Sequence, residues 1–189
     1  MPQVVIIHGF GGSPDNGFKG WLKNELIKSG LNTFNPQMPN PKQPVEQDWV
    51  DTITKTIPKP NLDTYLVGHS LGCIAILRYL EQLPAGTQIG GAFLVAGFSK
   101  MLTNDKYQPF ANFFNQPINW PKIKQTCSDL TCFFSDNDWA VPVEQIEPFL
   151  KQGAKIIILK DRGHFADSDG CTNLPELLES IIDLSKKSA

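Results

Sequence analysis

Residues 65–77 read Tyr-Leu-Val-Gly-His-Ser-Leu-Gly-Cys-Ile-Ala-Ile-Leu, an apolar run, a Gly-x-Ser-x-Gly segment and a second apolar run. The pattern predicts a buried strand, a very sharp turn and a helix. In such a turn the serine, Ser70, has a strained backbone conformation that lifts its hydroxyl clear of the sheet. Glycines are required at 68 and 72 because side chains there would collide across the turn. Ser70 is therefore the candidate nucleophile.

A serine hydroxyl is a poor nucleophile until a base removes its proton, so the chain must supply a histidine and an acid that orients it. The three histidines are His8, His69 and His164. His69 is bonded directly to Ser70, and His8 precedes it, whereas this type of turn requires the order serine, acid, histidine. His164, on a loop after the last predicted strand, is the expected base.

The acid should lie between Ser70 and His164 on a loop that follows a strand. Residues 135–142 read Ser-Asp-Asn-Asp-Trp-Ala-Val-Pro and come directly after an apolar run. Asp138 is preferred, because the proline that follows lies near the start of the next helix and anchors the loop. Asp136 remains the alternative.

Acyl transfer also needs donors for the oxyanion that develops on the carbonyl oxygen. The expected donors are the backbone N–H groups of Leu71, in the first turn of the nucleophile helix, and Phe10, in the glycine-rich turn 8–12. A dinucleotide site is the competing interpretation of that turn, but Pro14 occupies the position of the third glycine that it requires. The sequence predicts no cofactor and no metal.

Strand-like and helix-like segments alternate along the chain without a hairpin signal, which is typical of an α/β fold with a parallel sheet covered on both faces. The predicted strands are Val4–Ile7, Leu31–Met38, Thr64–Val67, Ala92–Ala96, Leu130–Phe134 and Ala154–Leu159. The predicted helices are Asn16–Lys28, Val45–Ile57, Ser70–Leu83, one from about Val143, and Leu174–Leu184. Residues Ser99–Pro121 break this rhythm and are expected to form an irregular cap or loop insertion.

Composition excludes several classes of protein. The length of 189 residues favours one domain over residues 1–189. A net charge of −2 without charge clusters argues against binding to nucleic acid or an anionic membrane. The longest apolar runs, Val4–Ile7 and Ile156–Leu159, are too short for a membrane span or a signal sequence. Four cysteines without zinc-site spacing suggest reduced thiols in a cytoplasmic protein.

Several other conspicuous residues lie near the predicted site. Four aromatic residues sit next to site elements and are expected to line an acyl pocket: Phe10, Phe98, Trp139 and Phe165. Cys73 is interpreted as a packing residue of the nucleophile helix and not as a second nucleophile. Asp105, Asp167 and Asp169 lie in polar loops and are interpreted as solvated.

The chain resembles the small serine hydrolases of the retinoblastoma-binding protein 9 type, including the YdeN-like bacterial proteins, within the α/β-hydrolase superfamily. The resemblance extends nearly from end to end. It is carried by Ile-Ile-His-Gly-Phe at 6–10, Trp-Leu at 21–22, Met-Pro-Asn-Pro at 38–41, Asp-Trp at 48–49, Gly-His-Ser-Leu-Gly at 68–72, Leu-Val-Ala-Gly-Phe at 94–98, Asp-x-x-Val-Pro at 138–142 and Gly-His-Phe at 163–165.

The resemblance implies an α/β-hydrolase fold with a compact three-layer α/β/α arrangement and the strand order 2-1-3-4-5-6. It also implies a triad of Ser70, Asp138 and His164 without a large lid. One departure is Ser135, three residues before Asp138, where many members of the superfamily have glycine. Another is the Leu-x-Cys-x-Glu segment associated with binding to retinoblastoma protein, which neither residues 71–75 nor residues 130–134 complete. Such binding is not expected.

The predicted function is hydrolysis of small ester or acyl substrates, most simply as a carboxylesterase, through an acyl-enzyme. Two alternatives remain open. An amidase or aminopeptidase could use the same residues, and a protein-binding module could keep the fold with incidental hydrolase activity.

Overall fold

The computed structural model describes residues 1–187, and their six strands form one parallel sheet. The strands are β1 Gln3–Ile7, β2 Asn32–Phe34, β3 Thr64–His69, β4 Gly91–Val95, β5 Leu130–Ser135 and β6 Lys155–Leu159. Their order is β2-β1-β3-β4-β5-β6, which confirms the order that the resemblance implies. The single domain over residues 1–189 stays a prediction, and its last two residues lie outside the described part.

Helices cover both faces of the sheet. They are α1 Phe18–Lys28, α2 Glu46–Thr56, α3 Leu71–Gln82, α4 Trp120–Thr126, α5 Ile146–Lys151 and α6 Pro175–Lys187. Alternate residues of β1 point to opposite layers, Val4 and Ile6 to the layer of α1 and α6, and Val5 and Ile7 to the layer of α2 and α3. The predicted three-layer α/β fold is confirmed.

The structure corrects three element boundaries. Strand β2 has only three residues, because it is an edge strand and Pro36 follows closely. The segment Ser99–Pro121 is not wholly irregular, since Asp105–Phe114 form 3-10 turns and α4 begins at Trp120. The helix expected from Val143 starts as a 3-10 turn and becomes α5 at Ile146.

The start of α4 has a local cause. The Asn119 side chain accepts a hydrogen bond of 3.1 Å from the Lys122 N–H, and Pro121 occupies the first turn of the helix. An asparagine cap followed by proline is a recognisable helix start. The start of this short helix is therefore encoded in nearby residues, although the sequence analysis predicted an irregular insertion for this segment.

None of the helices in residues 1–187 combines the length and the apolar composition that a membrane-crossing helix needs.

We expect alanine at position 72 to lower the free energy of unfolding by about 3 kcal/mol or more, the upper part of the range for overpacked sites. A Cβ atom on Gly72 would lie 2.4 Å from the Ile7 carbonyl oxygen and 2.8 Å from that of His8. Both are backbone atoms at the end of β1, so relief requires α3 to move away from the sheet. Urea unfolding measures the loss.

Gly30→Ala is the matched control. Gly30 has a φ of +85° and no atom within 4 Å of the added Cβ, so alanine there adds only backbone strain of about 1–2 kcal/mol. Equal losses for the two variants would show that close approach of α3 to β1 is not what requires glycine at 72.

Candidate active site

The turn between β3 and α3 has the strained geometry that the sequence predicts. Ser70 has φ 53° and ψ −118°, a positive φ that is uncommon for any residue other than glycine. Its N–H donates to the Val95 carbonyl oxygen at 2.9 Å, which ties the turn to β4. A Cβ on Gly68 would lie 2.8 Å from the Cα of Cys73. The need for glycine at 68 and 72 is confirmed.

The structure brings the three predicted side chains Ser70, His164 and Asp138 into one hydrogen-bonded row. His164 Nε2 lies 3.0 Å from Ser70 Oγ. On the other side of the ring, His164 Nδ1 lies 3.0 Å from Asp138 Oδ2 and 3.1 Å from Oδ1. The Asp138 side chain is only 4% exposed, so its carboxylate interacts with the imidazole with little competition from water.

Of the two candidate aspartates, the structure places Asp138 against the imidazole. Asp138 Oδ1 also accepts hydrogen bonds from the N–H groups of Ala140 at 2.8 Å and Val141 at 2.9 Å, which fix the carboxylate plane. Asp136 is exposed, and its Oδ1 accepts from the Asp161 N–H at 2.9 Å. Asp136 therefore ties two loops together and does not face His164.

The loop that carries His164 is held from both sides. His69 Nε2 donates to the His164 carbonyl oxygen at 2.8 Å. Burial lowers the pKa of His69 well below its usual value, so the ring is neutral and has one N–H to donate. Asp169 Oδ2 accepts from the His164 N–H at 2.8 Å, and Asp169 Oδ1 accepts from Trp139 Nε1 at 3.1 Å. The His164 backbone is thereby fixed at both its N–H and its carbonyl.

Sequence reasoning missed these two supports. The interpretation of Asp169 as a solvated loop residue was wrong, because its carboxylate holds the His164 loop. Asp167 is also engaged, with Oδ1 accepting from the Gly17 N–H at 2.7 Å. The partner of Asp167 lies 150 residues away along the chain, so no local pattern marks that aspartate. Asp169 accepts from the N–H groups of His164 and Ala166 within its own loop, whose fold the sequence analysis left undefined.

The loops after β5 and β6 are joined by side chains that precede Asp138. Ser135 Oγ accepts from the Arg162 N–H at 3.0 Å, and Asn137 Oδ1 accepts from the Gly163 N–H at 2.8 Å. Ser135 thus bridges the two loops. These bonds set the spacing between Asp138 and His164.

The glycine-rich turn after β1 lies directly beside Ser70. A Cβ on Gly9 would lie 3.0 Å from the Cβ of Ser70. His8 holds the turn, because its Nδ1 donates to the Gly9 carbonyl at 2.8 Å and its Nε2 accepts from the Met38 N–H at 3.0 Å. Within residues 1–187, the N–H groups of Phe10 and Leu71 have no hydrogen-bond acceptor.

Two cavities meet at the row of three side chains, one of about 300 Å³ and one of about 210 Å³. Both are lined by the same four residues: Phe10, Ser70, Trp139 and His164. The rest of the larger cavity is lined by glycines, Ala166 and His69, together with four polar side chains: Asn16, Lys19, Asp167 and Ser168. Mostly apolar groups line the rest of the smaller one: Leu102, Lys106, Tyr107, Phe110 and Ala140. Four polar side chains therefore lie on one side of the site, and the other side is mostly apolar.

Only two of the four aromatic residues expected to line a pocket do so. Phe10 and Trp139 line both cavities. Phe98 and Phe165 are fully buried and line neither one. Phe98 stacks on Phe114 with ring centroids 5.9 Å apart, so it packs beneath the site. Nearness to a site element in the sequence therefore did not show which aromatic side chains line a cavity and which pack in the core.

The four cysteines of the chain are buried and unpaired. Cys73 Sγ donates to the Val95 carbonyl oxygen at 3.4 Å. Burial raises the pKa of the Cys73 thiol above its usual value, which disfavours the reactive thiolate. Its interpretation as a packing residue is confirmed. Among residues 1–187, no group of three or more histidine, cysteine or acidic side chains is placed to hold a metal ion.

Comparison with known proteins gives consistent similarities. A family model described as serine hydrolase matches residues 4–182. The chain is 37% identical to the YdeN protein of Bacillus subtilis over 98% of this chain and 97% of that protein. It is 30% identical to serine hydrolase RBBP9 of Rattus norvegicus over 88% of this chain and 89% of that protein. The crystal structure of the B. subtilis ydeN gene product superposes with a TM-score of 0.88 at 34% identity, over 97% of this chain and 98% of that chain.

Proposed function

The chain belongs to the serine hydrolase family, and from that premise we propose that it cleaves small esters or related acyl compounds, as a carboxylesterase does. Family membership supports hydrolase activity. One observation carries the finer proposal: Ser70 Oγ lies 3.0 Å from His164 Nε2, and His164 Nδ1 lies 3.0 Å from the Asp138 carboxylate. This arrangement suits a serine nucleophile with its base and orienting acid.

In the proposed reaction, Ser70 Oγ attacks the ester carbonyl while His164 Nε2 takes the hydroxyl proton. Asp138 keeps the proton of His164 on Nδ1, so that Nε2 is free to accept, and stabilises the imidazolium that forms. The tetrahedral intermediate collapses, the C–O bond to the leaving alcohol breaks, and His164 protonates that oxygen. A water molecule then attacks the acyl-enzyme with the same base and releases the acid.

The N–H groups of Phe10 and Leu71 are the proposed oxyanion donors. Both lack a protein acceptor within residues 1–187, and Phe10 follows Gly9, whose backbone lies against Ser70. Leu71 opens α3, where the first N–H groups have no partner inside the helix and the helix dipole favours negative charge. Donors fixed in this way need no rearrangement when the oxyanion forms.

A fluorophosphonate probe is expected to label the wild-type protein at one serine and to leave Ser70→Ala unlabelled, because only an activated serine attacks such a probe at a useful rate. Intact-protein mass spectrometry measures the added mass, and peptide mapping locates it. Ser168→Ala is the matched control, since Ser168 lines the same cavity and should not affect labelling. Equal labelling of wild type and Ser70→Ala would overturn the assignment.

A further inference from the structure

A lysine is buried in the wall of the larger cavity beside Ser70. Lys19, in the first turn of α1, is only 3% exposed and lines this cavity together with Ser70 and His164. Within residues 1–187 its ammonium group has neither a salt bridge nor a hydrogen bond, and its Nζ lies 5.3 Å from the Phe18 ring centroid. Lys19 is also the one Lys or Arg among the described residues that line this cavity.

An ammonium group in this position has a free-energy cost. Residues 19, 22 and 26 share one face of α1, and the other two are fully buried leucines. Apolar side chains normally occupy such a face, since a buried charge without a partner is strongly disfavoured. The carboxylate of Asp167 does not form an ion pair with Lys19, because its oxygens accept from the Gly17 N–H at 2.7 Å and from Asn16 Nδ2 at 3.1 Å. The ammonium end itself is not fully buried: it borders the cavity, with the Phe18 ring and the charge of Asp167 nearby but no direct ion pair among the described residues. It is therefore free to pair with an anion that enters the cavity.

We propose that Lys19 is a specificity-determining residue that binds a carboxylate on one arm of the substrate ester, while the apolar cavity holds the other arm. The inference rests on the proposed function, because the two arms are defined by the ester that Ser70 attacks. The preferred substrate class is then a small ester with one anionic and one apolar arm. The geometry supports this division, since the cavity of about 300 Å³ that contains Lys19 and the mostly apolar one of about 210 Å³ meet at Ser70 and His164.

The titration of Lys19 gives the proposal a second signature. Burial lowers the pKa of Lys19 to about 8, against the opposing effects of Asp167 and Cys171. His8 and His69 also interact with Lys19, and burial lowers the pKa of both, while burial raises the pKa of the Cys171 thiol. Lys19 is a cation below pH 8 and loses its charge above it. A preference for anionic esters should therefore decline as the pH rises through this value.

Two pairs of esters test the inference. On the acyl arm, p-nitrophenyl hemisuccinate is compared with p-nitrophenyl pentanoate, and on the alcohol arm 4-carboxyphenyl butyrate is compared with phenyl butyrate. In wild type, the ratio of kcat/KM for the anionic over the neutral ester is expected to be high for one pair. Lys19→Met should lower that ratio by about 10- to 100-fold, the range for a hydrogen bond to a charged group. Unchanged ratios for both pairs would overturn the proposal.

Lys28→Met is the matched control, because Lys28 lies on the same helix with a side chain 70% exposed and carries the same charge. It should keep the wild-type ratio. Circular dichroism tests whether Lys19→Met is folded. The pH dependence of the ratio is measured on the wild-type protein, so it does not depend on any variant being folded. A ratio that stays constant from pH 7 to pH 9 would also contradict the role of Lys19.

A binding measurement separates failure of this inference from failure of the proposed function. Calorimetry with Ser70→Ala, which cannot form the acyl-enzyme, uses monomethyl succinate if the acyl-arm pair shows the preference, or 4-carboxyphenyl butyrate, with phenyl butyrate as its neutral control, if the alcohol-arm pair does. Binding of that ligand is expected to be weakened by about 10- to 100-fold by the added Lys19→Met. Dimethyl succinate is the neutral control for monomethyl succinate. If no ester is cleaved but this difference appears, the hydrolase proposal fails and the carboxylate site remains. If esters are cleaved in a Ser70-dependent way but the difference is absent, only the Lys19 proposal fails.

Discussion

Alanine in place of either Ser70 or His164 is expected to lower kcat for a p-nitrophenyl ester by about 10⁶-fold, and both replacements together should lower it little further. Neither side chain can perform its step of the reaction without the other. Their atoms lie 3.0 Å apart, the distance at which one proton passes between them. Once Ser70 is absent there is no proton for His164 to accept, and once His164 is absent the hydroxyl stays protonated.

Steady-state kinetics of wild type, the two single variants and the double variant test this expectation. The residual rate in all three variants should be similar, since it reflects binding and the backbone donors of the oxyanion. A His164→Ala variant that keeps most of the wild-type kcat would show that another group removes the proton. His69 could not easily replace it, because its Nε2 is committed to the His164 carbonyl oxygen.

The parts of this site that could be predicted from sequence are those encoded over a few neighbouring residues. The turn is predictable from Gly68, Ser70 and Gly72, because few sequences can form a reversal of the chain this tight. The choice of His164 followed from chain order and from its place after a strand. The strand order came from the resemblance and not from periodicity, which indicates parallel strands but not which of them are neighbours.

The parts that could not be predicted depend on how individual loops fold and on contacts between distant segments. Asp169 becomes a support for His164 only because the loop after β6 folds back on itself. Phe165 follows His164 and Phe98 lies just beyond β4, yet both side chains are fully buried in the core. Lys19 carried a usable signal, since it shares a helical face with Leu22 and Leu26, where a charge is unexpected. Its nearness to Ser70 required the structure.

Asp138→Asn is expected to lower kcat by about 10⁴-fold, although asparagine has nearly the same shape. The reason lies in the two N–H groups of Ala140 and Val141, which donate to Asp138 Oδ1. They would hold the oxygen of the asparagine amide in that place. Its NH₂ group would then occupy the position of Oδ2, which lies 3.0 Å from His164 Nδ1. His164 Nδ1 would then face an NH₂ donor at 3.0 Å and, at 3.1 Å, an oxygen that already accepts from two N–H groups, which favours the tautomer with its proton on Nε2.

That change of tautomer removes the acceptor on which the reaction depends. With a proton on Nε2, His164 donates to Ser70 Oγ instead of accepting from it, and the hydroxyl cannot be activated. Asp136→Asn is the matched control, because Asp136 only accepts from the Asp161 N–H, a bond that an asparagine oxygen can keep. Measured kcat values should separate the two variants by orders of magnitude. Equal losses would mean that the charge of this loop, and not the bond from His164 Nδ1, supports the reaction.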